Sequence, residues 1–269
     1  MKLIYYIILG LLQGFTEPLP ISSSGHLTLF KQIFNTGIFD DANFLIISNF
    51  GSFIAILIIF WKDIIELIKA FFSYIFKKET RKKLYNKFKY CLLIIIGTIP
   101  VGVTGIIFKD IVDNYNSPKV LGIAFLITAI ALFLVRNLNG NKKDDDLTYK
   151  DAIIIGLLQA VTIFPGISRS GTVLVGCLIC GLSRETALKY TFMLYFPVSM
   201  ASMTLGVFDI IEAGNLNKLL MPYTIGMIAA GIVTFFSYKW LSEWVKKGKL
   251  WKFSIYCLLL VIFIFIYFR

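Results

Sequence analysis

Gly10-Leu-Leu-Gln-Gly-Phe-Thr-Glu-Pro-Leu-Pro-Ile-Ser-Ser-Ser-Gly-His26 and Gly156-Leu-Leu-Gln-Ala-Val-Thr-Ile-Phe-Pro-Gly-Ile-Ser-Arg-Ser-Gly-Thr172 align without a gap, 146 residues apart, and share nine of seventeen positions. Each copy is a short apolar run, a Pro/Gly break, and a small-polar S-x-S-G stretch that opens a second apolar run. The differences are complementary. The first copy carries Glu17 and His26 where the second has Ile163 and Thr172, and the second carries Arg169 where the first has Ser23. Two related broken helices with complementary ionisable groups would build one site at a repeat interface.

The surrounding chain sets the environment of that site. It has 269 residues, is 57% hydrophobic and only 16% charged, and has a mean hydropathy of +0.77. Such a composition excludes an ordinary soluble domain and predicts an integral membrane protein. Apolar runs near 43–61, 90–108, 119–136, 186–208, 221–241 and 250–268 are each predicted to span the bilayer. The repeated segments are too short to span. Residues 3–13 and 150–163 are each followed by a break and a second short run, 21–34 and 166–181. They are expected to be re-entrant helical hairpins, because non-helical backbone at membrane depth must be buried in protein or line a wet cavity. Lys2 precedes an apolar run, but no A-x-A-like site follows it and the run has an internal twin, so the N-terminus is expected to be retained.

The net charge of +11 would suggest nucleic acid in a soluble protein, but here it resides between the apolar runs, so no nucleic-acid partner is expected. The loops 62–89, 136–150 and 239–252 hold nine, four and five Lys and Arg, against two and one in 109–119 and 209–220. The positive-inside rule places the first three in the cytoplasm. Three spans separate the copies, so the second half enters the membrane inverted. The expected fold class is an all-α integral membrane protein, six transmembrane helices plus two re-entrant hairpins in an inverted-topology repeat. It forms a single domain, 1–269, with halves 1–136 and 150–269. Cys91, Cys177, Cys180 and Cys257 all lie in apolar stretches. Cys177-Leu-Ile-Cys180 has no second Cys/His pair to complete a zinc site, so the cysteines are read as packing residues.

Inverted repeats place sites where discontinuous helices meet, and half-helix N-termini attract anions. Ser22, Ser23, Ser24 and Gly25, and Ser168, Arg169, Ser170 and Gly171, open the second half-helix of each copy. Apart from loops and span ends, the ionisable residues are Glu17, His26 and Arg169, and intramembrane charges mark function. Together they meet the needs of phosphoryl transfer. Arg169 and backbone donors neutralise phosphoryl charge, while Glu17 acts as base or as ligand to a divalent cation, Mg²⁺ or Ca²⁺. His26 moves a proton, and Ser23, one helical turn earlier, is a candidate nucleophile.

At these residues the chain closely resembles the bacterial undecaprenyl-diphosphate phosphatase family linked to bacitracin resistance. The resemblance rests on Gln13-Gly-Phe-Thr-Glu-Pro-Leu-Pro-Ile-Ser-Ser-Ser-Gly-His26 and Pro165-Gly-Ile-Ser-Arg-Ser-Gly171, continues through Gly181-Leu-Ser-Arg-Glu185, and covers the length of the chain. It implies hydrolysis of undecaprenyl diphosphate to the monophosphate, which recycles the lipid carrier for cell-wall synthesis, with bacitracin competing for that substrate. It also implies divalent-cation dependence and a plasma-membrane location. The matching positions imply catalytic Glu17, Ser23, His26 and Arg169, with the nucleophile open between Ser23 and His26. Gln13, Ser22, Ser24, Gly25, Gly166, Ser168, Ser170, Gly171 and Thr172 are expected to bind substrate. Gln13 stands where the family often has an acid, which leaves Glu17 as the only carboxylate. Pro18 replaces the usual Phe, and Val173 stands where a family hydroxyl is common. The hairpin carrying Glu17, Ser23 and His26 is expected to open to the external face. A polyprenyl-phosphate flippase is the alternative that this architecture permits, and the oligomeric state, including a homodimer, is left open.

Overall fold

A computed structural model describes residues 2–34, 42–112, 117–213 and 220–269. Among them the chain folds as α-helices joined by turns and short 3-10 segments, with only an isolated bridge between Lys142 and Leu182. The first half contributes α1 (Lys2–Thr16), α2 (Ser23–Phe34), α3 (Ala42–Phe76), α4 (Arg81–Val112) and α5 (Pro118–Leu134). The second contributes α6 (Tyr149–Ala160), α7 (Arg169–Ile179), α8 (Arg184–Ala213), α9 (Leu220–Lys246) and α10 (Trp251–Tyr267).

Length and composition suit α3, α4, α8 and α9 to crossing a membrane. The protein is therefore a helical, multi-pass membrane protein. The runs 119–136 and 250–268 form α5 and α10, each 17 residues long, about 26 Å and at the short limit for a span. These two helices pack on each other, and the Ser254 hydroxyl donates to the Ala129 carbonyl at 2.7 Å.

Residues 62–89 differ from the expected loop. Helix α3 runs on to Phe76, and α4 begins at Arg81 after a 3-10 turn. Aromatic stacking holds this helical hairpin together beyond the apolar run, with the Tyr74 and Phe88 rings 4.0 Å apart and Phe71 and Phe88 5.4 Å apart. Lys87 also pairs with Glu66 across it. The lysines are its solvent-facing residues rather than a structureless link.

Both repeated segments break where expected. In the first, α1 ends at Thr16, Pro18 to Ser22 are buried, and Ser22 takes the left-handed conformation (φ 66°), which is rare for a residue with a side chain. In the second, a 3-10 turn follows α6, Gly166 supplies φ +92°, and Ser168 caps α7 by accepting from the Gly171 N–H at 3.1 Å.

Close backbone approach holds α1 in place. It packs on α9, where a Cβ added at Gly10 would lie 2.2 Å from the Gly226 carbonyl oxygen, and one at Gly14 would lie 2.2 Å from that of Ala230. This is the small-xxx-small packing expected where apolar burial alone cannot drive helices together.

Candidate active site

The two breaks meet. A Cβ at Gly25 would come within 2.8 Å of the Gly166 Cα, and the Ser170 hydroxyl donates to the Leu19 carbonyl at 3.0 Å. The breaks of the two copies therefore share one wall. Beside them is a cavity of about 610 Å³ lined by Glu17, Ser22, Ser23, Ser24, Ser168, Arg169 and Ser170, together with parts of α3, α4, α6 and α8.

Glu17 is the hub. Its side chain is 6% exposed, and both oxygens are used. Oε1 accepts from Arg169 Nη2 at 3.1 Å, while Oε2 accepts from the Ser23 hydroxyl at 2.5 Å and from Gln13 Nε2 at 2.9 Å. Gln13 Nε2 is also shared with Asn49 Oδ1. The first-copy carboxylate, the second-copy guanidinium and the serine opening α2 form one connected group.

Arg169 lies over the face of Tyr195, with Cζ 4.9 Å from the ring centroid, and the side chain is 29% exposed. Of its nitrogens, Nη2 bonds the carboxylate, so the fork presents further N–H donors towards the cavity. Arg169 and Ser170 also begin α7, where the first-turn N–H groups precede any intrahelical acceptor. This wall has the fixed positive charge and the donors that a phosphoryl group needs.

His26 is placed differently from Ser23. It is buried and does not line the cavity. Its Nδ1 lies 2.7 Å from the Ser22 carbonyl, which can only accept, so Nδ1 carries a proton. Its Nε2 lies 2.7 Å from the Tyr256 hydroxyl, and the two rings are stacked at an interplanar angle of 8°. Ser23 instead bonds Glu17, and no hydrogen bond to His26 is found. The imidazole thus braces the left-handed Ser22 turn from behind. Gln13, Gly25, Gly166, Gly171 and Thr172 likewise shape the breaks without lining the cavity. Residues not singled out by sequence also face it, notably Asn49, Tyr195 and Gln159.

As a cation site the donor set offers one carboxylate, Glu17, beside serine and amide oxygens, and no group of three or more His, Cys, Asp or Glu is found among the described residues. That fits Mg²⁺ or Ca²⁺ only if substrate phosphate oxygens complete the shell, as they commonly do for Mg²⁺.

Comparison with known proteins identifies the family. The family model described as "Bacitracin resistance protein BacA" matches residues 6–263. Undecaprenyl-diphosphatase 2 of Bacillus thuringiensis is 45% identical over 255 residues, covering 94% of this chain and 93% of the relative. Undecaprenyl-diphosphatase of Oceanobacillus iheyensis is 40% identical over 268 residues, covering 98% and 96%. Undecaprenyl-diphosphatase 1 of Halalkalibacterium halodurans is 38% identical over 256 residues, covering 95% and 92%. The chain belongs to the bacitracin resistance protein BacA family.

Proposed function

With family membership as premise, we propose that this protein hydrolyses undecaprenyl diphosphate to undecaprenyl phosphate and inorganic phosphate, returning the lipid carrier to cell-wall synthesis. The observation that carries the reaction is the Glu17 carboxylate bonded at once to the Ser23 hydroxyl and to Arg169 in the wall of one cavity.

The Ser23 oxygen attacks the terminal phosphorus as its proton passes to Glu17. The bond between that phosphorus and the bridging oxygen breaks, and the lipid monophosphate departs with the bridging oxygen. Glu17 gives that proton to the departing lipid phosphate. Water then attacks the phosphoserine as Glu17 takes its proton and returns it to the Ser23 oxygen, the serine–phosphorus bond breaks, and inorganic phosphate and free Ser23 are restored. Arg169 and the α7 N-terminus neutralise charge on the transferring group, where catalysis of this type mainly resides. His26 holds the Ser22 turn that aims Ser23, rather than taking the serine proton. A divalent cation held by Glu17 and the substrate's phosphates would supply further charge neutralisation.

The fold is read as six spans and two re-entrant hairpins in an inverted repeat of halves 1–136 and 150–269. The packing supports this under exchange of halves. The pair α1 with α9 is matched by α6 with α4, α1 with α2 by α6 with α7, and α3 with α4 by α8 with α9. The pairs α5 with α10 and α3 with α8 join equivalent helices. The distribution of Lys and Arg, taken with this packing, supports a plasma-membrane enzyme whose cavity opens to the external face.

Inverted repeats also build transporters, so function rests on the chemistry of the site. The test is phosphate release from a panel of prenyl diphosphates by purified protein in detergent, where transport has no meaning. Stoichiometric release supports the phosphatase. Lipid binding with no phosphate released would establish a carrier instead.

A further inference from the structure

Gln159 is the repeat partner of Gln13, but the two amides meet different surroundings. Gln13 spends its Nε2 on Glu17 and Asn49. At Gln159 the carboxylate position is occupied by Ile163, and neither Nε2 nor Oε1 has a hydrogen-bond partner among the described residues, although the residue is 0% exposed. Neighbouring hydroxyls of the same cavity are turned away from it. Thr98 donates to Ile94, Thr191 to Ala187, and Thr162 to the backbone carbonyl of Gln159. A buried amide without partners is costly, and native proteins rarely keep one. This one borders the cavity, so a rotation of its side chain would bring the amide to a ligand there.

The rest of the wall indicates which group arrives there. Helix α6 packs on α4, whose Val101, Gly102, Gly105 and Ile106 form an apolar stretch of the same cavity. A Cβ at Gly102 or Gly105 would meet nothing within 4 Å, so this stretch has room for a hydrocarbon chain. A lipid lying against α4, with its outer phosphate at Ser23 and Arg169, carries its inner phosphate between those two regions. The replacement of a carboxylate by Ile163 also removes a charge that would repel that phosphate.

We propose that Gln159 binds the lipid-linked phosphate of the substrate, its amide N–H donating to a non-reacting oxygen, a contact that the monophosphate headgroup also makes. This rests on the phosphatase reading above but is tested by binding alone. Affinities of the protein in detergent are measured for a non-hydrolysable prenyl methylenediphosphonate, for the matching monophosphonate and for the prenyl alcohol. Gln159→Met, similar in length but without donors, is expected to weaken the diphosphonate and the monophosphonate each about tenfold, equivalent to about 1.4 kcal/mol, and the alcohol less than about twofold. Its melting temperature should hold or rise, since an unsatisfied amide has been removed. Should that variant fail to fold, Gln159→Glu keeps the shape and is expected to weaken the diphosphonate further by charge repulsion. Unchanged affinity for the phosphonates, or equal weakening of the alcohol, would overturn the assignment. A native protein that binds the phosphonates through Gln159 yet releases no phosphate from the diphosphate would instead refute the phosphatase reading alone.

Discussion

Replacing Glu17 by Gln keeps the size of the side chain, removes one charge and leaves three donors competing for a single acceptor oxygen. In the native protein Oε2 accepts from Ser23 and Gln13, and Oε1 accepts from Arg169. An amide offers one acceptor oxygen and an NH₂, so at least one of these donors would face another donor. Ser23 also loses the group that takes its proton. Loss of a positioned base costs about 10²–10⁴ in rate, or about 2.7–5.5 kcal/mol of transition-state stabilisation, so kcat should fall about a thousandfold. The stability cost should be smaller. Arg169 is 29% exposed and retains solvent contact, which keeps the loss nearer 1–2 kcal/mol than the roughly 3–5 kcal/mol of a fully buried broken pair. The assay is steady-state phosphate release at saturating lipid diphosphate, across a titration of Mg²⁺, with thermal unfolding of the same preparation. A kcat within tenfold of native, in a variant of native stability, would refute Glu17 as the base. An inactive variant with unchanged cation dependence would assign Glu17 to proton transfer and not to the cation.

Other perturbations probe the phosphoryl clamp, the helix packing and the side of access. Arg169→Lys should recover little of the activity lost in Arg169→Ala, because a point charge cannot bond Glu17 and a phosphoryl group through one planar fork; near-native kcat in the lysine variant would show that net charge suffices. Gly14→Ala places a methyl 2.2 Å from the Ala230 carbonyl oxygen, so α1 and α9 must separate, and thermal unfolding should show destabilisation of about 2 kcal/mol or more. Unchanged stability would mean that the helices have room to part. In protein freed of its native cysteines, Thr28→Cys should react with an impermeant thiol reagent in intact cells, whereas labelling only after membrane disruption would put the opening on the cytoplasmic side.

The breaks were legible because proline, glycine and S-x-S-G interrupt apolar runs twice, and the backbone obeys both interruptions. The Glu17–Arg169 pair was legible for a simple reason, since opposite charges stranded among apolar residues need each other. The hairpin at 62–89 was not. Its lysines resemble a loop in one dimension, whereas in the fold Tyr74 and Phe71 stack on Phe88 and Lys87 pairs with Glu66 between two continuing helices. The direction of His26 was also hidden, because a spacing of three from Ser23 does not reveal that Tyr256, distant in sequence, draws the imidazole away. Gln159 did carry a signal. It is identical to Gln13 while its partner carboxylate has become Ile163, but a neutral amide attracts less notice than a charge.

Attack by Ser23 from the Glu17–Arg169 group is decided by kcat for Ser23→Ala, His26→Ala and the double variant on undecaprenyl diphosphate. If Ser23 is the nucleophile, Ser23→Ala abolishes turnover, and His26→Ala, which loosens the Ser22 turn, leaves a measurable remnant. The double variant should be no worse than Ser23→Ala, because residues acting through one nucleophile are non-additive. A Ser23→Ala enzyme that retains substantial kcat, with an acid-labile, base-stable phosphohistidine trapped at His26, would contradict serine attack.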